Sequence, residues 1–263
     1  MTGHAKVLIA APVYDGKDYC MKEWRELISK IDYPVIDYLL VDNSETNTFY
    51  ERLKSEGFNI HKIPRRSNSR EAINDSMNYI RQYTLDNNYD YLMSIEVDLK
   101  PDEQLINRLL AHNKAVVGSY YLLGFKEDQE KYERVRLLAR HGLINKAVFL
   151  ESIKELQFQR ACIFYLDYKE DRNSWGTSNI TPEKTEELFN TGLQQVHGVG
   201  MGATLIRRDI LERFPFWTDA RFDNKHHDVY FFMDLHNNHI PVYVDTTTLI
   251  PHDPSRWSSV EDK

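Results

Sequence analysis

Apolar runs and amphipathic stretches alternate through the first half of the chain. Residues 7–13 (V-L-I-A-A-P-V) form an unbroken apolar run, which predicts a strand covered on both faces of a parallel sheet. Trp24, Leu27, Ile28 and Ile31 then recur at helical spacing and predict a helix over 21–31. The alternation continues as strand 36–41, helix 49–56, strand 58–63, helix 69–85, strand 89–95, helix 101–112 and strand 115–121. Gly57 reads as a helix C-cap. Asn68 followed by Glu71 is a capping-box pattern. Pro101 is expected at the first helical position, with Asp102 and Glu103 in the first turn.

After Gly124 the pattern loosens. Residues 126–140 are charge-rich, 161–168 predict a strand and 182–190 a short helix. Regular signal returns over 195–214, where a glycine-rich turn leads into an apolar strand and a short helix. A helix over 227–238 and a strand over 241–244 follow. The alternation predicts an α/β, Rossmann-like fold with a central, mostly parallel sheet flanked by helices. One domain over 1–263 is expected, regular to about residue 124 and irregular beyond. Ligands of such sheets bind at the carboxyl ends of the strands, where Asp15, Asp42, Arg65, Arg66, Glu96 and Asp98 are expected.

Composition narrows the function classes. The 263 residues carry 40 acidic and 33 basic side chains, a net charge of −7, which disfavours a broad electrostatic grip on DNA. Cys20 and Cys162 lie far apart and make no metal-type pair, consistent with a reducing compartment. The apolar run at 7–13 is too short to span a membrane and lacks signal-peptide flanks, and no later run reaches spanning length. A cytoplasmic protein is expected.

The stretch S-I-E-V-D-L-K-P-D-E puts Glu96 and Asp98 where the fourth strand should end. A divalent cation shared with substrate phosphates needs oxygen ligands that leave coordination sites open, and a carboxylate pair at a strand end suits that task. The pair alone is equally readable as solvated loop residues, with Asp98 starting the next helix.

The order of features adds a resemblance. V-L-I-A-A-P-V-Y-D, Y-L-L-V-D-N-S, S-N-S-R-E-A-I-N-D-S-M and Y-L-M-S-I-E-V-D follow one another as they do in nucleotide-sugar glycosyltransferases of the GT-A fold. The chain most resembles the inverting family two of these enzymes. Downstream, G-V-G-M-G-A-T-L-I-R-R-D-I-L and H-H-D-V-Y-F-F-M-D-L-H-N-N-H-I-P-V-Y-V-D resemble the family's glycine-rich segment and acceptor-side helix. The resemblance covers roughly residues 5–121 and 193–252. Glu96 departs from the family's Asp-x-Asp motif, His227 stands where an acid is common, and residues 125–190 match nothing. The processive Q-x-x-R-W pattern does not follow, which implies addition of one sugar.

The resemblance implies metal-dependent transfer from a nucleotide-diphosphate sugar, with a UDP-sugar the expected donor, to an acceptor hydroxyl with inversion. It implies Mn2+ or Mg2+ on Asp98, with Glu96 reaching the ion through water or holding the ribose, and His252 as a late metal ligand. Asp42 would hydrogen-bond the uracil or ribose, and Pro12, Tyr14 and Asp15 would line the nucleotide pocket. Arg70 would pair with Asp98, Asp42 or the phosphates. Gly200, between Gly198 and Gly202, would let the backbone approach the donor sugar. Arg256 and Trp257 would clamp the diphosphate or cover the sugar. Asp228 would be the general base, with Asp223 and His227 as substitutes. His226, His227, His236 and His239 do not read as a structural zinc site, since only His236 and His239 share a helix face and no cysteine is near.

Two rivals stand beside this reading. A nucleotidyltransferase making a nucleotide-sugar shares the half-fold and the carboxylates but announces a glycine-rich basic loop after the first strand, where this chain reads A-P-V-Y-D-G-K-D. A non-catalytic nucleotide-sugar-binding module is the other. The acceptor is open among glycans, lipids, proteins and, less favoured at net −7, a modified DNA base.

Overall fold

A computed structural model describes residues 3–154, 156–157, 159–169, 174–219 and 226–253. The first half runs β1 (Val7–Val13), a 3₁₀ turn (Asp15–Cys20), α1 (Met21–Ile28), β2 (Ile36–Asp42), α2 (Thr48–Ser55), β3 (Ile60–Lys62), α3 (Ser69–Asp86), β4 (Tyr91–Ile95), α4 (Leu105–Ala111) and β5 (Val116–Leu123). Then come α5 (Lys126–Arg140), α6 (Lys146–Ile153), β6 (Arg160–Ala161), β7 (Ile163–Lys169), β8 (Ser174–Asn179), α7 (Pro182–Leu188), β9 (Leu193–Val196) and β10 (Gly198–Val199). The chain closes with β11 (Ala203–Arg207), α8 (Arg208–Arg213), α9 (His227–Asn237) and β12 (Val242–Ile250).

The main sheet has nine strands in the order β3-β2-β1-β4-β11-β5-β12-β9, with β6 paired to β5. β1 pairs in parallel with β2 and β4, β2 with β3, and β5 with β12. β11 enters antiparallel between β4 and β5, and β9 caps the far edge antiparallel. A separate sheet orders β10-β7-β8.

The unbroken apolar character of β1 has a direct cause. Its side chains alternate between two cores. Leu8 and Ala10 face Met77 and Ile80 of α3, with Ile210 and Leu211 of α8 and Phe231 and Phe232 of α9 in the same core. Val7, Ile9, Ala11 and Val13 face Trp24 and Ile28 of α1, Leu53 of α2 and Leu105 and Leu109 of α4.

Two expected elements differ. The helix predicted from Pro101 begins only at Leu105. Residues 99–100 are held extended by tertiary pairing: Leu99 bridges His252, and the Lys100 amide donates to the Pro251 carbonyl at 2.9 Å. The Asp102 carboxylate then accepts from the Gln104 amide at 2.9 Å and grips the Arg108 guanidinium, so the first helical turn forms after it. The charge-rich stretch 126–140, for which no element was predicted, is the helix α5.

The glycine-rich segment also differs in its reason. At Gly198, Gly200 and Gly202 an added Cβ would meet neighbouring side chains. A Cβ on Gly200 would lie 2.1 Å from the Tyr121 hydroxyl, one on Gly202 2.7 Å from it, and one on Gly198 2.3 Å from the Phe164 ring. These glycines admit side chains of the neighbouring strands. Gly200→Ala is therefore expected to destabilise the protein by about 1–3 kcal/mol, with partial recovery in the Gly200→Ala/Tyr121→Phe double variant, read by urea denaturation.

Candidate active site

The strand order brings four chain segments to one edge. Going from β1 to β2 to β3 the chain winds to one side, and β4 returns on the other side of β1. The β1 and β4 carboxyl ends thus flank a topological switch point, where α/β sheets leave a crevice. Because β11 is antiparallel, its start lies beside the end of β4, and the Glu96 amide donates to the Gly202 carbonyl at 2.8 Å. β5 and β12 are parallel, so Tyr121, Leu122 and His252 arrive at the same edge. The Asp253 amide donates to the Asp98 carbonyl at 3.0 Å and ties the two strand-end loops together.

Glu96, Asp98 and His252 converge here, each offering one ligand atom within 4.8 Å of the others. Asp98 and the His252 side chain are buried, and Glu96 is half-buried. His252 Nδ1 lies 2.9 Å from the Leu122 carbonyl oxygen. A carbonyl only accepts, so Nδ1 carries the proton and Nε2 is turned to Asp98 Oδ2, 3.5 Å away. Fixing the outer ring nitrogen on a backbone carbonyl is how metal-binding imidazoles are oriented. Tyr121 packs edge-on to the His252 ring, centroids 5.9 Å apart, and its hydroxyl accepts from the Gly202 amide at 3.1 Å. Two carboxylates and an oriented imidazole fit a divalent cation.

The electrostatics follow from burial and charge. Burial first, and then the Asp98 charge, push the Glu96 carboxyl up to about 7. For Asp98 burial acts in the same upward direction, but the His252 imidazole and the Lys17 ammonium outweigh it and hold the carboxyl well below the usual carboxylate range. Burial opposes the charged forms of Lys17 and His252, yet the Asp98 and Glu96 charges raise both. Lys17 makes an ion pair with Asp98 Oδ2.

Lys17 was absent from the sequence-based candidates. In the loop after β1 the sequence points to Tyr14 and Asp15, whereas Lys17 stands two positions further on. Lys62 was missed likewise. The Asp42↔Lys62 register between β2 and β3 sets its ammonium 3.0 Å from the Asp42 carboxylate. A basic residue ending the strand next to an acid-ending one was the available signal.

The remaining expected residues divide. Pro12 and Tyr14 are half-buried and Asp15 exposed at the β1 end. The Asp15 amide donates to Ser44 Oγ at 2.8 Å. Asp42 is fully buried, and its carboxylate is spent on the Ser44 amide and hydroxyl and on Lys62. In this arrangement Asp42 braces the turn that presents Ser44 and Asp15. Arg70 lies in the first turn of α3, whose N-cap Asn68 accepts from the Arg70 amide at 2.8 Å. Neither expected acid pairs with Arg70, since Lys17 and Lys62 hold them. Asp228 opens α9, with Oδ1 accepting from the Val229 amide at 2.8 Å. Its charge bears on both Glu96 and Tyr121. His227 is buried against Phe216, ring centroids 5.7 Å apart, and burial pushes its pKa down to about 4, which makes it a poor substitute base. Asp223, Arg256 and Trp257 lie outside the described residues.

A β3-β2-β1-β4 parallel half, an antiparallel insert and an acid-bearing strand end define the GT-A fold class. Solved structures with this arrangement match the chain. S. aureus TarS 1–349 in complex with UDP-GlcNAc superposes at a TM-score of 0.52 with 10% identity, over 97% of this chain and 61% of that one. Glucosyl-3-phosphoglycerate synthase from Mycobacterium tuberculosis, in complex with Mn2+ and UDP-glucose, gives 0.47 with 13% identity, over 95% and 71%. A197 from STIV gives 0.40 with 15% identity, over 94% and 85%. No protein-family model and no curated protein matches the sequence.

Three outcomes test the site. A carboxyl raised from 4.5 to about 7 by folding costs stability as pH rises above 4.5, fully so above 7. Without divalent ions, Glu96→Gln should stabilise the protein by on the order of 1–3 kcal/mol at pH 8 and little at pH 4, by thermal melts. Cation binding needs Glu96 ionised and His252 neutral, so Mn2+ affinity in calorimetry should rise between pH 6 and 8 with proton release. Lys17→Met strands the Asp98 charge and should cost about 3 kcal/mol without metal. Added Mn2+ should then raise its melting temperature more than that of the wild type.

Proposed function

We propose that this chain is a metal-dependent glycosyltransferase that moves one sugar from a nucleotide-diphosphate sugar, a UDP-sugar, to an acceptor hydroxyl with inversion. The observation that carries this reading is the convergence of Glu96, Asp98 and His252 at the switch point of a GT-A sheet, with the Asp228 charge acting on Glu96. The likeness to TarS, whose structure holds UDP-GlcNAc, supports the donor class.

In this reading Asp98 and His252 hold Mn2+ or Mg2+, and Glu96 contacts the ion through water or holds the ribose. The ion, when bound, supplies the Lewis acid that offsets charge on the departing diphosphate. Pro12, Tyr14 and Asp15 line the nucleotide pocket, with Asp42 and Lys62 bracing Ser44 beneath it. Arg70, together with Arg65 beside the β2 end, supplies positive charge for the phosphates. Asp228 takes the proton from the acceptor hydroxyl as that oxygen attacks the anomeric carbon opposite the leaving group. Residues 1–124 form the donor side of one domain and 125–263 the acceptor side.

A second reading, nucleotidyl transfer, is favoured by one observation: Lys17, from the loop after β1, sits on the metal-site carboxylate. Product analysis separates the two. Incubation with UDP-, GDP- and dTDP-sugars and Mn2+ should release a nucleoside diphosphate, and Asp98→Ala should lower that release at least about 100-fold. Asp228→Asn should lose transfer to an acceptor while keeping donor binding. Pyrophosphate as product supports the second reading, and donors that stay inert with wild type and variant alike sink the first.

A further inference from the structure

The chain between β5 and β6 is a helical hairpin whose tip buries almost nothing. Leu143 is 70% exposed, Leu137 55%, Leu150 51%, Val148 48% and Leu138 42%. α6 contains Val148, Phe149, Leu150 and Ile153, and none of its residues is buried. Single exposed leucines are ordinary, but these five fall within residues 137–150 of one hairpin, a concentration that marks an interaction surface.

The charge around the patch indicates what covers it. From Arg134 to Leu150 the sequence holds Arg134, Arg136, Arg140 and Lys146 and no acidic residue, in a chain of net charge −7. Arg136 turns inward to Glu133 and Glu183, at 3.2 and 3.3 Å. Arg134, Arg140 and Lys146 are exposed, and among the described residues none forms an ion pair. A second copy of this face would oppose cation to cation. An interfacial lipid layer with anionic headgroups instead accepts the leucines and attracts the cations together.

The root of the hairpin links this surface to the acidic cluster. Leu122 and Leu123 of β5 pair with Ala161 and Arg160 of β6, and the Leu122 carbonyl is the one that His252 Nδ1 reaches. We propose that the α5–α6 tip seats the protein on an anionic lipid surface. The docking does not rest on the sugar-transfer reading.

Co-sedimentation of the full chain with vesicles tests this. Vesicles of phosphatidylcholine with phosphatidylglycerol should bind the protein, and phosphatidylcholine alone should bind it at least about tenfold less. Leu143→Asp/Leu150→Asp should lower partitioning about tenfold or more with an unchanged far-UV spectrum. Arg140→Gln/Lys146→Gln should remove most of the anionic preference. Failure to bind either vesicle overturns the proposal, as does equal partitioning of the leucine variant and wild type. So does a wild-type dimer in light scattering that the aspartates disperse while vesicles stay unbound. No sugar donor enters these measurements, so inert donors with vesicle binding intact would sink only the transfer reading.

Discussion

Two carboxylates two residues apart, one fully and one partly removed from water, need positive charge beside them. At ordinary interior polarity their mutual repulsion and lost hydration would otherwise force protonation or unfolding. In this protein the demand is met by the Lys17 ammonium from the end of β1 and the His252 imidazole from the end of β12. Those partners come from opposite ends of the sequence, so the site exists only when the central strands are assembled in their order. The division of labour between the acids follows: Asp98 takes the compensating charge and stays ionised, while Glu96 bears the remaining penalty. A carboxyl near its titration point and another held anionic form a site that gains by receiving a cation.

The rest of the sheet serves this edge. Antiparallel insertion of β11 between β4 and β5 lets a glycine-rich turn meet the β4 end, and the missing side chains there are taken up by Tyr121. Tyr121 in turn steadies His252 and the Gly202 amide. On the other side of the switch point, Asp42 and Lys62 neutralise one another beneath the Ser44 turn, which leaves Arg70 uncommitted to either acid. The α5–α6 hairpin is built on the opposite rule. It leaves its apolar side chains outside, rimmed by cations, and so looks outward for the partner that completes it.

The alternation of elements up to residue 123 was legible because each signal is local. A run buried on both faces reads as continuous apolar sequence, and a helix on a sheet reads as a stripe of period 3.6. Strand-end acids were legible for the same reason, since a carboxylate breaks an apolar run. The helix start at Leu105 was not, because pairing of Leu99 with His252 extends the chain past Pro101. α5 and α6 were obscured because a hairpin that buries little carries no clear core stripe.

The sequence by itself determined the α/β class, the order of elements up to residue 123 and the acidic end of β4, each written in stretches shorter than twenty residues. Only the tertiary structure decided which cation answers which acid. Lys17 and Asp98 stand 81 positions apart, and Asp42 was matched to Lys62 by register rather than by spacing. It also decided that the glycines serve Tyr121 and Phe164 and that Asp42 faces inward. Charge compensation and steric fit depend on distances in space, and those are set by strand order, which no local pattern encodes.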